Sequence, residues 1–427
     1  MRFADALARL DARQPESMPE PSLDRIRAIA ELLDEPQLTF PTIHVTGTNG
    51  KTTAARVAAA VACAHGLTTG LFTSPHLLSV TERLSVCGQD ITQTEFAEEW
   101  EHLEPFLRVV DEQGPVAVTY FEAVTALAYL WFADKPVGLG VFEVGMGGSW
   151  DATNLVDGQV AVITPIGMDH VAELGPTLAD IAGEKAGILK DGGTAILREQ
   201  DPVAADVLAR RAAGVGSTPR WEGKDWEVEE RLLAVGGQSF VLRGLFETYE
   251  DLYLPLFGEY AVHNAAAGVV AVEALTGQAL DPDALREGLA AVRSPGRLEV
   301  VGREPLVVLD GAHNPEGAQA LAEAMRESFR WERLHLVVAM SANKDLAGIA
   351  GALAPLADDV VVTRNDSVRS ADASVVAAAF GGEVERASSV ADAIEIVRRA
   401  AGPDDVVLVT GSLYTVADAE RALAAAG

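Results

Sequence analysis

The sequence predicts an α/β protein with two domains, and two features of the chain favour this fold class. Short β-branched runs alternate with Ala- and Leu-rich helical segments, as in βα units built around a parallel sheet. This rhythm restarts after the turn-forming residues Arg293–Gly296. We therefore expect domains over residues 1–295 and 296–427, each long enough to bury its own core.

The first domain is expected to contain a parallel sheet. Its predicted elements are helices over 2–13 and 22–34, a strand Thr42–Thr46, a helix that ends near His65, and strands Val137–Val144 and Val160–Thr164. The last two strands are almost wholly apolar, which is typical of parallel strands covered on both faces. Alternating polar and apolar residues within 220–257 predict a small antiparallel meander at the edge of this sheet.

The second domain is expected to be a Rossmann-like open sheet. Its predicted strands are Pro305–Asp310, Leu334–Met340, Asp359–Thr363 and Asp405–Thr410. Ligands of such sheets bind beyond the carboxyl ends of the strands. Neither of the strand-end segments Leu309–Pro315 and Thr410–Tyr414 resembles the G-x-G-x-x-G pattern of dinucleotide-binding proteins, so the sequence does not favour a nicotinamide dehydrogenase.

Composition and charge exclude several classes of protein. The 427 residues are 48% hydrophobic and 22% charged, without an apolar run of the length that a membrane span requires. The formal net charge of −30 disfavours general binding to nucleic acid. Cys63 and Cys87 are the only cysteines, so we expect no disulfide framework. The amino-terminal segment does not resemble a signal peptide, and these features together predict a cytoplasmic protein.

A glycine-containing loop between a strand and a helix is the first candidate site. It consists of Gly47, Thr48, Asn49, Gly50, Lys51, Thr52 and Thr53. Its backbone N–H groups and the helix dipole suit a phosphate, Lys51 can neutralise phosphate oxygens, and the Thr52 hydroxyl can bind Mg²⁺. The longer phosphate-loop pattern requires glycine at position 45, where this chain has Val45, so the loop is a shorter variant.

Glu143 is the first metal candidate, because a carboxylate at the end of a buried strand and beside Gly145–Gly148 can hold a hard cation. An ordinary exit from strand to loop remains an alternative. Asp169-His170 follows another strand, and Lys185 lies on an apolar helix. A lysine that burial makes neutral can act as a nucleophile, or react with CO₂ to form a carbamate that binds metal. By itself, a lone histidine such as His170 is more often a structural residue than a ligand, and a lone lysine on a helix is usually solvated.

Two further strand ends carry polar residues in the second domain. They are Leu309–Pro315, which contains Asp310 and His313, and Thr410–Tyr414, which contains Ser412. All three named side chains are expected to face the ligand crevice. For Ser412, a role in an ordinary strand-to-helix turn remains an alternative.

Taken together, these segments resemble the Mur ligase superfamily and, within it, the folylpolyglutamate synthase/dihydrofolate synthase family. The marks of the resemblance are Gly47–Thr53, Phe72–Leu77, Glu82-Arg83, Thr119–Glu122, Glu143–Gly148 with Asp151–Asn154, Gly167–His170, Glu184–Ile188, Asp310–Pro315 and Gly411–Tyr414. The short glycine loop is shared by all Mur-type ligases, whereas the Thr73–Leu77, Thr119–Glu122 and Asp151–Asn154 segments point to the folate branch.

The resemblance implies ATP-dependent ligation of L-glutamate to a folate or dihydropteroate carboxylate through an acyl phosphate. It also implies Mg²⁺ at two sites, a carbamylated Lys185 and a monomer whose partners are ATP, glutamate and a pterin or folate. The residues that match the family's functional positions are Lys51, Lys185 and His313 for catalysis; Gly47–Thr53, Asn264, Arg297 and Asp310 for nucleotide; Thr52, Ser74, Glu143, His170 and Lys185 for metal; and Phe121, Asp151 and Ser412 for substrate.

The chain departs from the family pattern at three places. Ser149-Trp150 stands where a basic residue is usual after Gly148, and Tyr260-Ala261 replaces a His-Gln pair. The segment Ala342–Asp345 keeps only the Lys-Asp part of a usual D-K-D. These departures keep open a Mur-type ligase that joins an amino acid to a non-folate carboxylate. A phosphate-loop NTPase acting as a switch, or an inactive relative, fits the full set of motifs less well.

Overall fold

The computed structural model describes residues 1–16, 18, 20–381 and 384–426. The chain divides into two compact units. The first unit comprises Met1–Leu232, Ser239–Pro255 and Val262–Val292, and the second comprises Leu233–Gln238, Leu256–Ala261 and Arg293–Gly427. The α/β fold class that the sequence predicts is confirmed, because each unit contains a largely parallel sheet with helices between the strands.

The first unit is built on an eight-stranded sheet. Its strands are β1 (Thr42–Thr46), β2 (Thr69–Phe72), β3 (Leu84–Val86), β4 (Gln89–Asp90), β5 (Leu139–Glu143), β6 (Val160–Ile163), β7 (Thr194–Leu197) and β8 (Thr218–Trp221). Their order in the sheet is β4-β3-β2-β5-β1-β6-β7-β8. The six strands from β2 to β8 are parallel, and β3 and β4 add an antiparallel edge.

Ten helices belong wholly or mainly to the described part of this unit. They are α1 (Phe3–Asp11), α2 (Asp24–Leu32), α3 (Lys51–Ala64), α4 (Gln93–Gln113), α5 (Tyr120–Asp134), α6 (Val171–Leu174), α7 (Leu178–Lys185), α8 (Pro202–Val215), α9 (Glu259–Thr276) and α10 (Pro282–Ala290). Short 3₁₀ helices lie at Pro36–Leu38, Val80–Arg83, Ala152–Leu155 and Ala186–Ile188.

An aromatic cluster under β2 and β5 anchors the core of this unit. Phe142 lies within 6.2 Å of the rings of Phe40, Phe72, Tyr129 and Phe132, measured between ring centroids. All five side chains are buried. Aromatic pairs at such separations stabilise a core beyond the area that they bury. The end of β5, where Glu143 lies, is therefore rigidly supported.

The predicted meander is present, but it forms a sheet of its own rather than an extension of the large sheet. Strands β9 (Glu227–Ala234), β10 (Gly237–Arg243) and β11 (Thr248–Leu254) pair in the order β11-β10-β9. The large sheet instead ends at β8 on one side and at β4 on the other, and the alternating pattern of 220–257 overlaps the end of β8. Within β10, the Gln238 side chain donates to the carbonyls of Leu256 and Gly258 at 2.8 and 2.9 Å.

The second unit is built on a six-stranded sheet. Its strands are β12 (Glu299–Arg303), β13 (Leu306–Leu309), β14 (Leu334–Val338), β15 (Asp359–Val362), β16 (Glu385–Arg386) and β17 (Val406–Thr410), in the order β12-β13-β17-β14-β15-β16. Its helices are α11 (Pro315–Ser328), α12 (Leu346–Leu353), α13 (Ala373–Ala379), α14 (Val390–Ala400) and α15 (Leu413–Ala426), with a 3₁₀ helix at Ala354–Leu356. Only β12 is antiparallel to its neighbour among the paired strands.

The two cysteines correct one expectation. Cys63 near the end of α3 and Cys87 after β3 form a disulfide, with their Cα atoms 5.6 Å apart. Two cysteines are too few for a disulfide framework, and their separation of 24 residues along the chain does not itself indicate that the fold brings them together. No helix within the described residues is both long enough and apolar enough to cross a membrane.

Candidate active site

The candidate residues of the first unit lie where neighbouring parallel strands end. Ser74 follows β2, Glu143 ends β5, Gly47 follows β1, and the segment with Asp169 and His170 follows β6. Because β2, β5, β1 and β6 are adjacent and parallel, these segments emerge along one edge of the sheet.

The phosphate loop requires glycine at both of its glycine positions. Gly47 has φ +149°, and a Cβ there would lie 1.9 Å from Thr164 Oγ1. Gly50 has φ +90°, and a Cβ there would lie 2.2 Å from Asn264 Nδ2. Since α3 begins at Lys51, the loop leads directly into a helix amino terminus, where backbone N–H groups can bind an anion.

Two lysines converge on one carbonyl of this loop. Lys51 Nζ donates to Gly47 O at 3.1 Å and to Thr48 O at 3.2 Å, while Lys185 Nζ donates to Gly47 O at 2.7 Å. Burial, together with the charge of Lys51, lowers the pKa of Lys185 from 10.5 to about 7, although Asp169 and Asp151 favour its charged form. Near neutral pH a substantial fraction of Lys185 is thus an uncharged amine.

Glu143 connects the phosphate loop to the segment after β2. Its side chain is buried; Oε1 accepts the Thr52 hydroxyl at 2.8 Å, and Oε2 accepts the Ser74 backbone N–H at 3.3 Å. A carboxylate and a hydroxyl at this separation are hard oxygen donors of the kind that Mg²⁺ prefers. The residues present therefore fit a magnesium ion at Thr52 and Glu143.

The segment after β6 is attached to the phosphate loop through Thr48. Its Oγ1 pairs with the O and N atoms of Gly167 at 3.1 and 3.0 Å, and its backbone N donates to Pro165 O at 2.9 Å. His170 is half-buried, with φ +51°, and its Nε2 lies 3.9 Å from Asp169 Oδ2. The bonds between Thr48 and Gly167 thus tie the segment that carries His170 to the phosphate loop.

The two predicted substrate residues of this unit have different surroundings. Phe121 is half-buried against Phe72, with ring centroids 6.0 Å apart, and faces Gly145, where a Cβ would lie 2.6 Å from its ring. Asp151 is buried; its Oδ2 accepts Met146 N at 2.9 Å, and its Oδ1 accepts the N and Oγ1 of Thr153. Burial raises the pKa of Asp151 above 3.8 despite these bonds. The Asp151 carboxylate thus holds the Gly145–Gly148 loop.

Two of the departures from the family pattern have clear contacts. The Ser149 hydroxyl donates to the Glu184 carboxylate, and the Ser149 N–H donates to Glu184 O at 3.0 Å. Tyr260 packs, with Phe257, against the core of the second unit. In this chain Ser149 therefore binds the end of α7, next to Lys185, and Tyr260 is a packing residue.

The second unit brings Arg297, Asp310 and His313 together around Gly311. Asp310 is buried and accepts the N–H groups of Leu298 and Ala312, each at 2.8 Å, while burial raises its pKa despite neighbouring Arg297. His313 Nδ1 lies 3.1 Å from Gly311 O. A Cβ at Gly311 would lie 3.3 Å from Arg297 Nη1. Their backbone segments are joined by a bond from Gly311 N to Gly296 O.

Ser412 lies apart from that group in its hydrogen bonding. Its Oγ accepts from Asn365 Nδ2 at 3.0 Å and from the backbone N of Thr415 at 3.1 Å, and it lies 2.9 Å from Thr415 Oγ1. The hydroxyl is buried and already accepts a hydrogen bond from a backbone N–H in the first turn of α15.

Asn264 brings in residues that sequence reasoning missed. Its Oδ1 accepts from Arg198, whose Nε donates to Glu222 Oε2 at 2.7 Å. Arg198 directly follows β7, and Glu222 directly follows β8. A polar residue at the carboxyl end of a parallel strand was the available signal, but β7 and β8 were not recognised as strands of the main sheet.

Family models match both parts of the chain. The Mur ligase middle domain matches residues 45–272, and the Mur ligase glutamate ligase domain matches residues 296–413. A dihydrofolate synthase/folylpolyglutamate synthase of Mycobacterium tuberculosis is 42% identical over 97% of this chain and 92% of its own length. The chain belongs to the folylpolyglutamate synthase/dihydrofolate synthase family of Mur ligases.

Solved structures of this family share the fold. A folylpolyglutamate synthase from M. tuberculosis, complexed with ADP and AMPPCP, has a TM-score of 0.93 at 41% identity and covers 98% of this chain and 97% of its own. Escherichia coli FolC in complex with DHPP and ADP has a TM-score of 0.89 at 31% identity and covers 100% of this chain and 98% of its own. The family resemblance that the sequence predicts is confirmed.

Proposed function

We propose that this chain is an ATP-dependent ligase that adds L-glutamate to the carboxylate of dihydropteroate or of a folate. The observation that carries the proposal is the arrangement at the strand ends of the first unit, where a phosphate loop lies beside two lysines and the Thr52–Glu143 oxygen pair. Membership of the folylpolyglutamate synthase/dihydrofolate synthase family supports the glutamate chemistry.

The reaction has two steps. A carboxylate oxygen of the pterin substrate attacks the γ-phosphorus of ATP, ADP leaves, and an acyl phosphate forms. The amine of glutamate then attacks the acyl carbon; phosphate leaves, an amide forms and the amine loses a proton. Charge neutralisation is the main requirement of the first step.

Residues of the first unit meet this requirement. The N–H groups of Gly47–Thr53 and the amino terminus of α3 bind phosphate oxygens, and Lys51 can leave the carbonyls of Gly47 and Thr48 to neutralise them. We also assign to the nucleotide Asn264 of the first unit and, separately, Arg297 and Asp310 of the second. We further propose that residues 1–295 act as the ATP-binding domain and residues 296–427 as the ligase domain.

Magnesium fits the oxygen donors of Thr52 and Glu143, and we propose Ser74 and His170 as further residues of two magnesium sites. When bound, the metal supplies positive charge to the phosphate oxygens. The chain's own contribution is to hold these donors in place, since Glu143 is buried and fixed from both sides by Thr52 and Ser74.

Lys185 is suited to become a carbamate. Its neutral amine can attack CO₂ to form an N–C bond, with release of one proton, which converts a buried amine into an anionic oxygen ligand. The lowered pKa of about 7 supports this proposal, because attack on CO₂ requires the uncharged amine.

The remaining assignments concern the substrate and the setting. We propose that His313 stabilises the acyl phosphate or the tetrahedral intermediate, that Phe121 stacks on the pterin, and that Asp151 and Ser412 complete the substrate site. For Ser412 the support is the family resemblance alone. We also propose a cytoplasmic monomer that acts on small molecules and does not bind nucleic acid, in keeping with its net charge of −30.

The deciding experiment measures phosphate release from Mg-ATP, with and without L-glutamate, in separate reactions with dihydropteroate and tetrahydrofolate. Release that requires both glutamate and a pterin is expected, and the two pterins reveal which ligation occurs. If glutamate stimulates release with neither pterin, the folate assignment is wrong, and non-folate carboxylates become the substrates to test.

A further inference from the structure

A buried arginine controls the orientation of the Asn264 amide. Arg198 is 7% exposed, and its Nη1 donates to Asn264 Oδ1. A guanidinium has only hydrogen-bond donors, so it can pair with the amide oxygen and not with the amide nitrogen. With Arg198 in place, the oxygen of Asn264 must therefore point toward the guanidinium.

The other end of the amide faces the phosphate loop. A Cβ placed on Gly50 would lie 2.2 Å from Asn264 Nδ2 and 2.7 Å from Oδ1, so the amide nitrogen is the nearer atom. Asn264 as a whole is 3% exposed, and its side-chain amide lies directly against the loop backbone at Gly50. Its N–H groups are thus presented at the loop that would bind the phosphates, where donors are required.

Arg198 is itself held by a buried carboxylate. Glu222 Oε2 accepts from Arg198 Nε at 2.7 Å and from the Glu199 backbone N at 2.8 Å, and Oε1 faces His263 Nδ1. Burial alone would raise the pKa of Glu222, but the hydrogen bond with His263 and the charge of Arg198 bring it to about 2. The carboxylate stays ionised at neutral pH, and the guanidinium keeps its position.

We propose that Arg198 is a positioning residue for the nucleotide, acting through Asn264. Without Arg198, the Asn264 amide can rotate by 180° and present its oxygen, rather than its N–H groups, to the phosphate loop. The inference rests on the proposed function, in which Asn264 contacts the nucleotide. It adds Arg198, with Glu222 as its support, to the residues that determine nucleotide affinity.

The test is a double-mutant cycle on binding of Mg-ADP by calorimetry, with full-length Arg198→Met, Asn264→Ala and the double variant. We expect each single change to weaken binding about tenfold and the double change to weaken it about as much as one alone, because both remove the same contact. Multiplicative effects near a hundredfold, or unchanged affinity in Arg198→Met, would overturn the proposal.

Two further variants separate positioning from folding. Arg198→Lys keeps a side chain that can donate hydrogen bonds but cannot accept them, so this variant should recover part of the affinity for Mg-ADP. Asn264→Asp keeps the partner of Arg198 but puts oxygen where the amide nitrogen was, so we expect an unchanged melting temperature with ADP binding weakened at least tenfold. A purely structural Arg198 would instead give melting temperatures and affinities that fall together across all variants.

Nucleotide binding by the chain and the positioning role of Arg198 can be contradicted separately. Wild-type chain that does not bind Mg-ADP contradicts the nucleotide half of the proposed function. Wild-type chain that binds Mg-ADP normally, with Arg198→Met indistinguishable from it, contradicts only the role of Arg198. Arg198→Met removes one of the partners of the Glu222 side chain, which is 8% exposed, so the Arg198→Met/Glu222→Leu variant repeats the measurement if the single variant does not fold.

Discussion

The two sheets of this chain carry polar residues at the same topological position but use them differently. At the carboxyl edge of the eight-stranded sheet, Lys51 and Lys185 crowd one carbonyl, and the pKa of Lys185 falls to about 7. At the carboxyl edge of the six-stranded sheet, Asp310 and Ser412 accept hydrogen bonds from nearby N–H groups and hold turns in place.

The comparison distinguishes groups that are arranged to bind a ligand from groups that stabilise the fold. The charge of Lys51 disfavours the protonated form of Lys185 beside it, and an anion bound at this edge would relieve that repulsion. Carboxylate and hydroxyl groups that are already satisfied by N–H donors stabilise the fold whether or not a ligand is present. We therefore expect substitutions at the first edge to reduce activity more than stability, and substitutions at the second edge to reduce stability as well.

The largest effect is expected for Lys51→Met. It removes the charge that would neutralise phosphate oxygens, and we expect glutamate-dependent phosphate release to fall about 10³-fold, or about 4 kcal/mol of transition-state stabilisation. Stability should change little, because Lys51 donates to loop carbonyls and is half-buried. The control is Lys224→Met at an exposed lysine. A loss of less than tenfold would contradict the role assigned to Lys51.

The second effect is a loss of stability in Asp310→Asn. Both carboxylate oxygens accept buried N–H groups, whereas an asparagine can accept only one and turns an NH₂ toward the other. We expect the free energy of unfolding of the second unit to fall by about 1–3 kcal/mol, measured by denaturant titration. Asp345→Asn is the matched control, since Asp345 is exposed and asparagine caps a helix about as well as aspartate. Equal stability in both variants would contradict a structural role for Asp310.

The first edge was also easier to predict from sequence, for a physical reason. Gly47, Gly50 and Lys51 lie within one short stretch of the chain, so a local sequence pattern contains the whole loop. Arg198, Glu222 and Asn264 meet only because β7 and β8 join the large sheet, and neither four-residue strand was recognised in the sequence. The pairing of Cys63 with Cys87 likewise depends on the fold, which places the end of α3 beside the turn after β3.

A smaller effect is expected when pH changes the charge of Lys185. With a pKa of about 7, about one tenth of the amine is neutral at pH 6 and about nine tenths at pH 8. The initial rate of carbamate formation at fixed dissolved CO₂ is proportional to the neutral fraction of the amine, so it should rise about tenfold over this range. The sign for stability is the same: the folded state holds fewer protons than the unfolded state between pH 7 and 10.5, so the free energy of unfolding rises with pH there.

Dissolved CO₂ itself must be held constant in that experiment, because total carbonate partitions differently at each pH. Addition and removal of CO₂ at pH 8 should raise and lower activity reversibly, and Lys185→Met should abolish that response. An activity that ignores CO₂ at every pH would mean that Lys185 acts as an amine and not as a carbamate.

The smallest effect should come from Ser412→Ala. This variant tests whether the Ser412 hydroxyl, at the carboxyl edge of the six-stranded sheet, stabilises the fold rather than binding substrate. The change removes the acceptor for Thr415 N and for Asn365 Nδ2, so we expect a loss of about 1 kcal/mol in the free energy of unfolding. The matched control is Ser389→Ala, which removes a comparable cap from α14 at Asp392 N. Both variants should lose similar stability, while the KM for glutamate stays within about threefold of the wild-type value. The contrary result is a tenfold higher KM for glutamate in Ser412→Ala, with no greater loss of stability than in Ser389→Ala. That result would mean that the Ser412 hydroxyl contacts the substrate and does not merely stabilise the fold.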